Sequence, residues 1–232
     1  MLSALGFLTV LGGARTPTRD TFPWFPLVGA LIGAALAGVW VVATELWSPG
    51  VAAVLVVVAD LAITGMLHLD GLADSADGLL PHLDRERRLA VMAGPDVGAF
   101  ALAVVPVVLL ARWAALATDL VEPLALVGVW AASRTVLAVV PALVPYARDG
   151  GLASAMLPGA RAGIALWLLP VAGLLVAVQG VTGGVALAVL LAAAAGVVLL
   201  ARRRVGGFTG DVLGAAAVLA ETVALLALAA RP

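Results

Sequence analysis

Long apolar runs, broken by proline, glycine or charge, alternate with short polar connections along the whole chain. Seven of them approach the roughly 20 residues that a helix needs to cross a bilayer. They cover 26–47, 51–69, 98–118, 122–144, 162–179, 183–200 and 212–230. Only a thin connection holding Gly180, Gly183 and Gly184 parts the fifth from the sixth. Ahead of the first run, Met1 to Gly13 is apolar but lacks a basic leader and an obvious cleavage site. It reads as a short interfacial or re-entrant helix rather than a cleaved signal. The pattern predicts an all-α fold, a polytopic membrane bundle of about seven transmembrane helices forming one domain over 1–232.

Composition agrees with that pattern. Hydrophobic residues make up 63% of the chain and charged residues 12%, against about 45–50% and about 25% in soluble domains; mean hydropathy is +1.16. A net charge of −1 gives no electrostatic case for nucleic acid. The absence of cysteine excludes disulfides, thiolate metal sites and a cysteine nucleophile. All 13 basic residues are arginine. Placing loops on alternating sides puts Arg15, Arg19, Arg85, Arg87, Arg88, Arg148, Arg161 and Arg202–Arg204 together, leaving Arg231 opposite. The positive-inside rule makes the arginine-rich side cytoplasmic.

The run from His68 to Gly78 holds three carboxylates within eight residues, Asp70, Asp74 and Asp77. On a helix these fall at about 0°, 40° and −20°, one stripe. Like charges so placed repel, and carboxylates beside a bilayer are costly. A hard cation such as Mg²⁺, which takes oxygen ligands and keeps waters and substrate phosphates in its shell, offsets that cost. A solvated interfacial turn is the plainer reading. His68 is either a base or phosphate contact, or a satisfied residue at a span end.

Other polar groups sit inside the runs. Asp60, Arg112 and Arg134 are functional candidates by position, binding substrate phosphate or forming a structural ion pair. If the second run is one continuous helix, Asp60 lies about 15 Å deeper than Asp70. Ser133 beside Arg134 favours a functional role there. In Arg202-Arg203-Arg204-Val205-Gly206-Gly207-Phe208-Thr209-Gly210-Asp211, arginines and backbone N–H groups suit phosphate. Asp211 is a metal ligand or a helix N-cap. The loop from Tyr146 through Arg148 to Leu152 suits stacking on a base and contact with its phosphate, or interfacial anchoring. No Walker-type loop, nucleophile elbow, zinc motif or dinucleotide fingerprint is present.

With these segments placed, the chain resembles cobalamin synthase, the adenosylcobinamide-GDP ribazoletransferase family, nearly end to end. The resemblance is carried by Phe7-Leu8-Thr9, Phe25-Pro26-Leu27-Val28-Gly29 and, above all, Thr64-Gly65 with His68 through Gly78. Ser133-Arg134, Tyr146-Ala147-Arg148 and Gly151-Leu152 extend it through the centre. Gly207, Thr209-Gly210-Asp211, Leu213-Gly214-Ala215-Ala216 and Glu221 extend it to the C-terminal part. The chain departs from the family pattern at Ala93-Gly94-Pro95-Asp96, where a basic residue and Asp-Ser-Arg are frequent, at Val10 and at Val218.

The resemblance implies a membrane transferase of late cobalamin biosynthesis. The ribose 3′-hydroxyl of α-ribazole, or of its 5′-phosphate, attacks the cobinamide-linked phosphorus of adenosylcobinamide-GDP, and GMP leaves. On that basis Asp70, Asp74 and Asp77 are expected to hold Mg²⁺, with one of them or His68 orienting the hydroxyl. Arg134, Arg148, Arg202, Arg204, Gly207, Thr209 and Asp211 are expected to bind substrate. The expected setting is the inner (plasma) membrane with the site on its cytoplasmic face. A homo-oligomer or other enzymes of the pathway are further expected partners. The rivals are a CDP-alcohol type phosphotransferase, whose Ala-Arg after Asp-Gly is missing here, and an ion-coupled transporter built on Asp60, Arg112 and Arg134.

Overall fold

The computed structural model describes residues 1–13, 18–148 and 157–230. These form nine α-helices: α1 Leu2–Leu8, α2 Phe25–Leu46, α3 Pro49–Thr64, α4 Leu67–Leu79, α5 Arg85–Val91, α6 Ala99–Leu116, α7 Pro123–Leu143, α8 Leu168–Val205 and α9 Gly210–Leu228. By length and composition five segments are able to cross a membrane, or six if α3 and α4 are one broken span. The bundle is all-α, as its hydropathy pattern predicts. Asp149 to Leu152 and two of the arginines assigned to sides, Arg15 and Arg231, lie outside the described residues.

Backbones meet where small residues permit it. A Cβ on Gly29 would lie 2.4 Å from the carbonyl oxygen of Trp130, and one on Gly33 2.4 Å from that of Leu126. This Gly-x-x-x-Gly pair lets α2 seat against α7, since close van der Waals packing drives helix association in lipid. Both α7 and α9 are largely buried and make the centre of the bundle.

The second apolar run is not one continuous helix. Helix α3 stops at Thr64, Gly65 and Met66 both take left-handed backbone angles (φ 59°), and α4 leaves at 90°. A helix carrying Asp70, Asp74 and Asp77 pays heavily for entering hydrocarbon, and the turn directs it across the bundle end. There α4 packs on the first turns of α6 and α9. The depth relation expected between Asp60 and Asp70 therefore does not hold.

The fifth and sixth runs do separate. At Gly180 the backbone (φ 59°, ψ −140°) leaves helical space, a conformation open to glycine. A Cβ on Gly183 would touch the carbonyl oxygen of Leu175 at 2.0 Å. Leu168 shares a crevice with Leu191 and Ala194, whereas 26 residues of straight helix would span about 39 Å. The chain doubles back there as a helical hairpin.

Loops collect at two ends. The Trp113 indole donates to the carbonyl oxygen of Gly50, and the Gln179 amide to that of Leu120. At the opposite end lie α4, α5, the 145–148 segment and the α8–α9 turn. Arg85 donates there to the carbonyl oxygens of Val205 and Ala147.

Candidate active site

Two segments distant in sequence make one side of the site. Phe208 N–H donates to the Pro145 carbonyl (3.0 Å) and Ala147 N–H to the Phe208 carbonyl (2.8 Å). A Cβ on Gly207 would stand 2.1 Å from the oxygen of Pro145, so glycine permits this contact. The pairing carries Arg148 to Asp211, with Nη2 2.8 Å from Oδ2. The contact is ionic but poorly aligned for a hydrogen bond, and Arg148 Nε and Nη2 have no aligned acceptor among the described residues. Thr209 caps α9, its hydroxyl accepting from Val212 N–H and donating to Asp211 Oδ2.

Helix α4 supplies the other side. A Cβ on Gly71 would lie 2.8 Å from the backbone oxygen of Asp211, and one on Gly214 3.1 Å from that of His68. This close seating brings Asp70 and Asp74 beside Asp211. Burial first, then the neighbouring Asp211 and Asp70 carboxylates, push the Asp74 carboxyl up to about 7, with Arg148 opposing. Negative charge is thus crowded and under-compensated at this point.

A cavity of about 230 Å³ opens between the two sides. Asp70, Asp211, Arg148 and His68 line its polar part, and Phe7, Phe22, Phe25 and Tyr146 line an aromatic part. A larger crevice of about 310 Å³ between α7 and α8 is lined by aliphatic groups with Thr135. It offers no charged group for phosphoryl chemistry.

Several expected site residues stand elsewhere. Asp77 is buried, and its carboxylate accepts from Gly98 N–H (2.7 Å), Phe100 N–H (3.1 Å) and Ala101 N–H (3.1 Å). It caps the N-terminus of α6, where backbone donors lack helical partners, so its carboxylate is engaged by α6 while still adding to the charge around Asp74. Arg134 is 1% exposed and held by Glu221 and Ser133, which removes it from direct contact with a phosphate in the cavity. Arg202 and Arg204 end α8 outside the cavity lining, and Thr209 and Gly207 serve the cap and the backbone contact. Asp96 is exposed and also outside the lining.

Arg134 belongs to a buried network across α3, α6, α7 and α9. Arg112 donates to Asp60 (2.7 Å), Glu221 (2.6 Å) and Thr222 (2.9 Å). Trp130 donates to Asp60 (3.0 Å), and Ser133 to Glu221 (2.6 Å). Two arginines and two acids balance, as buried charges require. Of the two readings of Asp60, Arg112 and Arg134, the structure shows the structural ion pair, extended by Glu221. His68 sits between it and the cavity, buried, with Nδ1 unpartnered among the described residues.

Among the described residues no three acid or histidine side chains already surround one point. Mg²⁺ needs no such cage, since one or two carboxylates with substrate phosphates and water suffice. The oxygen donors of Asp70, Asp74 and Asp211 and their crowded charge suit that mode.

The family model for cobalamin-5-phosphate synthase matches residues 1–229. The chain belongs to the cobalamin-5-phosphate synthase family. It is 36% identical over 240 residues to an adenosylcobinamide-GDP ribazoletransferase of Bradyrhizobium diazoefficiens, covering 98% of this chain and 92% of that one. The enzyme of that name from Pseudomonas aeruginosa PAO1 is 39% identical over 244 residues, with 99% and 97% covered. One from Chlorobium phaeobacteroides is 35% identical over 234 residues, with 96% and 94% covered. No solved structure matches the chain. Membership makes it a transferase of late cobalamin biosynthesis.

Sequence reasoning about this family member left out two parts of the site. Phe7 and Phe25 of the aromatic wall stand in segments that carry the family resemblance but imply no role for them, and Phe22 stands in no motif. Arg85, which ties α8 to the Arg148 segment, looked like one more positive-inside charge.

Proposed function

We propose that this chain performs the transfer for which its relatives are named, joining α-ribazole or its 5′-phosphate to adenosylcobinamide-GDP. The observation that carries this reading is the meeting of Asp70, Asp74, Asp211 and Arg148 beside an aromatic cavity at one bundle end. The ribose 3′-oxygen forms a bond to the cobinamide-linked phosphorus. The bond from that phosphorus to the GMP oxygen breaks, and GMP departs with the electron pair. Asp70, at the open part of the cavity, takes the hydroxyl proton, and Arg148, ion-paired with Asp211 but without an aligned acceptor, offers its guanidinium to a phosphate oxygen.

Asp70 and Asp74, with Asp211 in place of Asp77, would hold Mg²⁺, which when bound neutralises charge on a diphosphate. The remaining work of the protein is positioning, the main contribution in phosphoryl-type transfer. His68 lines the cavity where its backbone meets Gly214 of α9, and it has no assigned proton step.

Purified protein in detergent, given adenosylcobinamide-GDP, α-ribazole and Mg²⁺, is expected to release GMP; no release under conditions that keep it folded defeats the proposal. The arginine-rich end faces the cytoplasm in this reading. Single cysteines at the exposed positions Ser48 and His82 should then label from opposite faces, and labelling from one face contradicts it.

A further inference from the structure

We infer that the aromatic part of the cavity seats the base of the acceptor nucleoside: a flat, largely apolar heteroaromatic ring stacks on Phe7 and Tyr146 while its ribose faces Asp70 and Asp211. The inference rests on the transfer reaction proposed above and assigns one substrate moiety to one part of that site.

Size selects a moiety first. Ligand pockets commonly measure about 300–1,000 Å³, so 230 Å³ admits one ring system with part of its sugar. A corrinoid is far too large for it and must remain outside. The choice is then between the acceptor's base and the guanine of the donor.

Lining chemistry decides between them. Phe7, Phe22, Phe25, Leu67, Leu137 and Leu213 present no hydrogen-bonding side-chain group, and Tyr146 presents one. Guanine carries a carbonyl, a ring N–H and an amino group on one edge, and these would lose water without gaining partners. A dimethylbenzimidazole, the base of ribazole, has two methyl groups and one free ring nitrogen. It loses little on entering such a lining.

The aromatic part is also built before any ligand arrives. Phe22 and Phe25 are 1% exposed and meet edge to face at 5.2 Å, forming a floor. Phe7 stacks on Phe25 at 5.8 Å, and Phe208 braces Tyr146 at 5.2 Å. Stacking needs such fixed faces, and an ordered wall reduces the entropy lost on binding. Helix α1 thereby acquires a purpose beyond resting at the interface: it carries Phe7.

Equilibrium dialysis of radiolabelled α-ribazole against the purified chain tests the assignment without turnover. Phe7→Ala and Tyr146→Ala should each raise the Kd for α-ribazole about 5- to 150-fold, the range of base–aromatic stacking. Binding of adenosylcobinamide-GDP should stay within about twofold by the same argument. Phe7→Leu, which keeps apolar bulk without the ring face, should fall between wild type and Phe7→Ala. On wild-type protein, a guanine α-riboside should bind at least about tenfold more weakly than α-ribazole. Equal binding of the two nucleosides overturns the inference, as does an unchanged Kd in both alanine variants or failure of wild type to bind α-ribazole. Absence of GMP release with this binding pattern intact would defeat the proposed reaction and leave the base seat standing.

Discussion

Gly71 and Asp211 touch through backbone: a Cβ at residue 71 would stand 2.8 Å from the Asp211 oxygen and 3.0 Å from its Cα. Nothing flexible is available there to move aside. Gly71→Ala must therefore push α4 from α9 and part Asp70 and Asp74 from Asp211. Overpacking of this kind costs about 1–3 kcal/mol, and a displacement near 1 Å in a positioning site costs about 100-fold in rate. We expect a folded, slightly less heat-stable protein whose GMP release falls at least tenfold. Normal turnover in Gly71→Ala would show that the α4–α9 seating is irrelevant to the chemistry.

The acids of α4 should divide by role. Asp77→Asn replaces one accepting oxygen with an amide donor facing three N–H groups of α6, and loss of a cap costs about 0.5–2 kcal/mol. Its thermal midpoint should drop clearly, while Mg²⁺ dependence keeps its wild-type midpoint. Asp70→Asn should show the reverse, a near-normal melt with GMP release reduced at least 100-fold, and Asp74→Asn the same loss of release with a melt no lower than wild type. A shared phenotype for all three would restore Asp77 to the metal stripe.

Much of this arrangement was legible in the chain, and the exceptions have physical causes. The long helices followed from the apolar runs and the reversal at Gly180 from its glycines, whereas α3 stops at Thr64, five residues short of its run. The 100° periodicity placed Asp77 with Asp70 and Asp74 correctly on the helix. It could not reveal that the α6 N-terminus would arrive beside Asp77, because that contact joins residues 21 to 24 positions apart. The break after Thr64 leaves no mark in the hydropathy, since Gly65-Met66 interrupts no apolar run. Arg134 and Glu221 are 87 residues apart, and only tertiary structure could tell a paired arginine from one free to bind phosphate. From sequence alone Asp211 fits either a ligand or a cap. Thr209 takes the cap, which frees the Asp211 carboxylate for the cavity.

Glu221 joins both buried arginines, so its charge should matter out of proportion to one residue. In Glu221→Gln only Asp60 opposes Arg112 and Arg134, leaving one uncompensated positive charge. Breaking a buried pair costs about 3–5 kcal/mol. Expression and the detergent melting temperature should both fall sharply. Adding Arg134→Met restores charge balance and should recover part of the loss, a coupling that a double-mutant cycle measures directly. A double variant as unstable as the sum of its singles would argue against a charge-balanced network.

Asp74 gives the last prediction its sign. Its carboxyl titrates near 7 in the folded, magnesium-free protein and near 3.8 when unfolded. Between about pH 4 and 7 the unfolded chain has released this proton while the folded chain retains it. Stability contributed by Asp74 therefore falls as pH rises through that window and is level above it. Without Mg²⁺, wild type should melt lower at pH 8 than at pH 5 relative to Asp74→Asn, which lacks the titrating group. Mg²⁺ binds the ionised form, so adding it should raise the wild-type melt more at pH 8 than at pH 5. Differential scanning fluorimetry of both proteins, with Mg²⁺ or with chelator, reads these four comparisons. Parallel wild-type and Asp74→Asn curves across pH would mean that Asp74 is not crowded by Asp70 and Asp211.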